Sequence, residues 1–121
     1  MLNYLGFFRQ RLKGTSTSVI TALYLKKIPT NTVLKISKVV CYNGDASDRD
    51  IELSIDSHGY DHIIEHINGV TTLEWSDAKP EVFIDSNERM KVNFLSMASG
   101  KIMEAHFTGY LFRRSDIIRK N

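Results

Sequence analysis

Between residues 17 and 112 the apolar side chains recur at every second position in short runs, and turn signals interrupt those runs roughly every 8 to 12 residues. Period two is the mark of pleated strands that bury one face, and it leaves no room for a core helix. The run TSVITALYL sets Val19, Thr21, Leu23 and Leu25 on one parity and Ile20, Ala22 and Tyr24 on the other, so it reads as a strand packed on both faces. Lys26, Lys27, Pro29 and Asn31 mark a turn. The β-branched run TVLKISKVVCYN then ends at Asn43-Gly44-Asp45, residues that tolerate positive φ.

In DIELSID, Ile51, Leu53 and Ile55 face one way and Glu52 and Ser54 the other. Shorter runs follow at DHIIEHI, VTTLEW and EVFID, separated by Asn68-Gly69 and by Asp77-Ala78-Lys79-Pro80. Two long runs, MKVNFLSMA and KIMEAHFTGYLF, flank Ser99-Gly100 and are expected to form a β-hairpin. In the second run Met103, Ala105, Phe107, Gly109 and Leu111 share a face, which places Phe107 in the core. The expected fold is all-β: an antiparallel β-sandwich, jelly-roll-like, over residues 17–112.

The ends read differently. Residues 1–16 form an N-terminal arm, in which Leu2, Leu5, Phe8 and Leu12 have the spacing of a short helix that Gly6 weakens and Gly14 ends. Residues 113–121 form a tail with a short C-terminal helix, capped by Ser115 and closed by Arg119 and Lys120. Aromatic and arginine side chains dominate interface hot spots, so Leu2, Tyr4, Phe7, Phe8, Arg9 and Arg11 are assigned as a partner-binding arm.

Charge is unevenly placed. Residues 1–27 carry five bases and no acid, residues 44–88 carry twelve acids against Arg49 and Lys79, and residues 89–121 carry seven bases against Glu104 and Asp116. Basic ends and an acidic middle suit subunits that pack the ends of one on the middle of the next, because complementary patches steer contact, or ends and middle that neutralise each other within one fold. Basic residues beside aromatics in FFRQR and GYLFRR could contact phosphates, but the acidic middle would repel nucleic acid, and protein is the expected partner. No membrane partner is expected: no apolar run approaches a span, and the N-terminus places its apolar residues before its charges, the reverse of a secretory signal.

No catalytic, cofactor-binding or metal-binding residues are assigned. His58, His62 and His66 recur every fourth position. On a helix that spacing brings the Cβ atoms about 6 Å apart, close enough to share one metal, whereas on a strand it holds them about 13 Å apart. The β-branched Ile63-Ile64 pair and the short span before Asn68-Gly69 favour a strand. Asp45, Asp48 and Asp50 lack the alternation and closing glutamate of a helix-loop-helix calcium site. Cys41, the only cysteine, lies in the apolar run VVCY as a buried inert thiol, and its pairing with the distant His106 has no supporting motif.

The order TALYLKKIPTNTVLKISKVVCYN, a strand, a Pro-containing turn and a strand ending in an aromatic-Asn turn, resembles the opening of small β-sandwich structural proteins of tailed bacteriophages: decoration, head-fibre and head/tail attachment proteins. The closing NFLSMASGKIMEAHFTGYLF is similar to their final hairpin, through Gly100, Thr108, Gly109 and Tyr110. The resemblance covers residues 17–112. It implies a non-enzymatic virion component, a capsid decoration or cement protein or a head/tail vertex attachment module. Such a component would act by assembly with capsid or other virion proteins and with copies of itself. The alternative is a carbohydrate- or receptor-binding sandwich, which would display Tyr60, Trp75 and Tyr110 on one exposed face.

Overall fold

The computed structural model describes residues 2–17, 21–45, 49–57, 60–70, 75–78 and 81–114. Nine strands lie in them: β1 (Leu2–Thr15), β2 (Ala22–Tyr24), β3 (Thr32–Asn43), β4 (Arg49–Ser57), β5 (Tyr60–Val70), β6 (Trp75–Ala78), β7 (Val82–Ile84), β8 (Arg89–Phe94) and β9 (Ile102–Arg114). They make two antiparallel sheets. One has the order β1-β9-β3-β6, with β7 also on β3; the other has the order β2-β8-β4-β5. Set aside the three-residue β7, and consecutive strands at both ends of the chain alternate between sheets. This is the eight-stranded jelly-roll order.

Between the sheets lies one core. The five-stranded sheet contributes Leu34, Ile36, Val39, Cys41, Met103, Ala105 and Phe107, and the four-stranded sheet contributes Ile51, Leu53, Met90, Val92 and Phe94, all at most 1% exposed. The alternation in β8 and β9 puts every second residue inside, as the pleat requires.

Four expectations are corrected. Residues 2–15, read as an arm with a short helix, form an edge strand paired with β9 along its whole length. The helical spacing of Leu2, Leu5, Phe8 and Leu12 arises from a β-bulge: the register shifts between Tyr4 and Gly6, and Gly6 takes φ of 147° there. Past the bulge the parity is strict, so Phe8 and Leu12 pack on the core while Phe7, Arg9 and Arg11 are exposed. The extra residue also sets Tyr4, opposite Phe112, on the same face as Phe7, opposite Tyr110.

The expected final hairpin is absent. β8 pairs with β2 and β4, whereas β9 pairs with β1 and β3, so the chain crosses from one sheet to the other between Phe94 and Ile102. A local turn signal fixes where a strand ends and says nothing about its partner. Two contacts hold the crossing: Ser16 exchanges backbone hydrogen bonds with Gly100 and Lys101, and the buried Asp45 carboxylate accepts the Ala98 N–H at 2.8 Å. Val19 and Ile20 of the first expected strand lie outside the described residues; beyond them it forms β2, where Leu23 is buried but Tyr24 is exposed, so one face is packed there. Finally, the Asp77-Ala78 pair, read as part of a turn, closes strand β6. The expected C-terminal helix lies outside the described residues.

Asp85 ties the far end of β9 to the turn before β8. Burial raises its pKa, but the Ser86 N–H and the Arg114 guanidinium outweigh that and hold the carboxyl below its ordinary range. A carboxyl whose pKa is lower folded than unfolded adds stability above its unfolded pKa, about 3.9, and loses it as pH falls through the folded value. The pair is half exposed, so the effect is small. Urea midpoints of the intact chain and Asp85→Asn should therefore differ at neutral pH and converge below about pH 4.

Candidate binding face

The outer face of the five-stranded sheet is built from cross-strand rows. Reading from β1 through β9 to β3, the rows are Phe7–Tyr110–Lys35, Arg9–Thr108–Lys38, Arg11–His106–Val40 and Lys13–Glu104–Tyr42. Residues directly opposite share a face, so these side chains all leave the same side of the sheet.

One end of the face is aromatic. Phe7 and Tyr110 have ring centroids 5.4 Å apart, and Tyr4 lies 6.3 Å from Tyr110 and 5.8 Å from Phe112. Phe7 is 78% exposed and Tyr4 58%. Next to them runs a groove of about 480 Å³ lined by Arg9, Arg11, Lys38, His106 and Thr108, with Val40 and Gln10 at its sides. Among the described residues no acid pairs with Arg9 or Arg11. Lys35, by contrast, reaches Glu81 at 3.1 Å and lies over the Phe83 ring.

The other sheet has the opposite character. Its strands carry Asp50, Glu52, Asp56, Asp61 and Glu65 against Arg49, Arg89 and Lys91. Here the cations are engaged: Arg89 meets Asp56 at 3.4 Å and stacks 4.3 Å from the Tyr24 ring centroid, and Arg49 meets Asp45 at 2.9 Å. The charge blocks of the sequence thus become two sheets of opposite sign.

Six residues are expected in a partner-binding arm. Tyr4, Phe7, Arg9 and Arg11 do come together on the outer face, Phe8 turns to the core, and Leu2 pairs with Arg114 through the backbone. Sequence reasoning missed their neighbours Lys38, His106, Thr108 and Tyr110, because the β1-β9-β3 pairing that assembles the face spans almost the whole chain.

The other candidates fall where no common chemistry is available. His66 lies opposite Glu52 and His62 opposite Ile55, three residues apart on β4, so the two imidazoles leave opposite faces of the sheet. His66 sits instead between Asp50 and Glu52, at 3.4 and 3.5 Å; His58 and Asp48 lie outside the described residues. Among the described residues no three His, Cys, Asp or Glu side chains are placed to share a metal. Cys41 is buried and its thiol is pushed up to about 12, first by burial and then by Glu65. It points into the core while His106 points out, so they form no pair. Tyr60 belongs to the four-stranded sheet, and Trp75 and Tyr110 belong to strands of the five-stranded one.

Fold and face together define an antiparallel β-sandwich with jelly-roll strand order and one basic, aromatic-edged sheet. No family model and no curated protein matches the chain. Among solved structures, the Drosophila NLP core, described in terms of pentamer formation and histone binding, is similar with a TM-score of 0.47 at 11% identity, over 88% of this chain and 98% of that one. The infectious bursal disease virus Gt strain structure is similar with a TM-score of 0.47 at 12% identity, over 88% of this chain and 32% of that one.

Proposed function

We propose that this chain is a non-enzymatic structural subunit of a virion that acts by protein–protein assembly, as a capsid decoration or cement protein or as a head/tail vertex attachment module. The observation that carries the reading is a pair of long edge strands. β1, of 14 residues, borders one sheet and β5, of 11, borders the other; among the described residues neither has a strand on its outer side. An uncovered edge offers a row of backbone donors and acceptors to another chain.

Both edges also expose apolar side chains: Leu5 at the β1 bulge, and Tyr60 and Ile63 on β5. β1 lies over β2 and β5 over β6, so the two edges stand on opposite flanks of the sandwich. Contact between β1 of one subunit and β5 of the next is heterologous, the geometry that builds rings when its rotation closes. The basic character of β1 and the acidic character of β4 and β5 favour that order over β1 against β1.

The virion setting is tested by mass spectrometry of particles purified from the infected host. The chain should be present in a fixed ratio to the major capsid subunit. Abundance in the lysate together with absence from the particles would overturn the assignment.

A further inference from the structure

We propose that the outer face of the five-stranded sheet binds single-stranded nucleic acid, with phosphates on Arg9, Arg11 and Lys38 and bases stacked on the exposed rings of Phe7 and Tyr4. This goes beyond the assembly reading and uses a different surface, because the edge of β1 and the face of its sheet are separate.

The acidic middle of the sequence is what argues against nucleic acid, and the fold removes that objection. β4 and β5 place their acids on the four-stranded sheet, across the core from this face. The five strands of the basic sheet carry Arg9, Arg11, Lys13, Lys35, Lys38, Arg113 and Arg114, and only Glu104 and Asp77 among acids; Lys35 and Arg114 are held by Glu81 and Asp85 from flanking segments, away from Arg9 and Arg11. Charge is therefore complementary to a polyanion on one side of the molecule alone.

Charge by itself would suit an acidic polypeptide equally well, and the rings decide between the two. Phe7, 78% exposed, and Tyr4, 58% exposed, together form an apolar aromatic surface of the kind that a nucleobase can cover. Tyr110 lies beside Phe7, with ring centroids 5.4 Å apart and planes tilted by 32°. Stacking on an aromatic platform beside a basic groove is how single strands are held without sequence preference. Along β1, Phe7, Arg9 and Arg11 project from the same face in steps of about 7 Å. That repeat lets one stretched strand place a base on the ring while its following phosphates reach the two guanidinium groups. A duplex keeps its bases stacked internally and gains only the phosphate contacts.

The test uses the full chain and a fluorescein-labelled dT oligonucleotide, read by fluorescence anisotropy from about 50 mM salt upward. The intact chain should bind, with log K falling linearly against log salt. The double variant Arg9→Ala/Arg11→Ala should flatten that slope by about 1.4, which is two single-strand phosphate contacts. Phe7→Ala should weaken binding about tenfold or more at every salt concentration without changing the slope. Circular dichroism and sedimentation of each variant show that fold and assembly are intact, so failure here is distinct from failure of the assembly reading. No binding at low salt would overturn the proposal. So would equal affinity for a duplex with no dependence on Phe7, or displacement by polyglutamate that is as effective as by oligonucleotide, the result expected of an acidic-polypeptide site.

Discussion

Phe107→Ala should lower the unfolding free energy by about 4 kcal/mol, measured by urea denaturation. Phe107 is fully buried in β9, in register with Gln10 of β1 on one side and Val39 of β3 on the other, at the centre of the five-stranded sheet's inner face. Among the described residues it is one of the two largest fully buried side chains, the other being Phe94 in the facing sheet. Removing the ring loses its burial and leaves a cavity that three paired strands cannot close by shifting. Phe107→Asp adds desolvation of a carboxylate to that loss. Against a typical stability of about 5–15 kcal/mol, the aspartate variant should fail to fold.

Gly109→Ala should cost about 3 kcal/mol, although it adds only one methyl group. A Cβ built at Gly109 lies 2.0 Å from the Lys35 carbonyl oxygen and 3.2 Å from the Ile36 Cα. Those are backbone atoms of β3 at the point where its register with β9 shifts, between Ile36 and Lys38. Side chains can rotate out of the way; a paired strand cannot, so relief requires β3 to separate from β9. The expected signature is a lower urea midpoint together with loss of protection of the amides in the β3–β9 ladder, read by hydrogen exchange. A midpoint within experimental error of the intact chain would mean that the two strands are farther apart than described.

What the sequence discloses and what it hides follow from the range of the interactions. The inward row of β9 and the placement of Phe107 were readable because alternation is a local property of the pleat. β3 and its end at Asn43 were readable for the same reason, aided by Asn43-Gly44. The Cys41 thiol was assigned to the core from its apolar neighbours alone, and it lies there.

Partnership was not readable. β1 and β9 stand at opposite ends of the chain, and nothing local in MLNYLGFFRQRLKG says that it pairs with IMEAHFTGYLFRR. The β1 bulge disguised the period further, turning a strand into an apparent helix with spacings of three and four. The β8–β9 connection failed in the same way: MKVNFLSMA looked continuous, but β8 ends at Phe94, and Met97 is buried within the crossing. The candidate face was half legible. Arg9, Arg11, Tyr4 and Phe7 stood out by composition, whereas Lys38 and His106 join them only through pairing.

Self-association through the edges of β1 and β5 is tested most directly by sedimentation velocity on the intact chain and on the double variant Leu5→Lys/Ile63→Lys. Both positions are exposed, so the variant should keep the circular dichroism spectrum of the parent. The intact chain should sediment as a closed oligomer and the variant as the 13.8 kDa monomer. An intact chain that remains a monomer at every concentration, or an oligomer untouched by both lysines, would contradict edge-to-edge assembly.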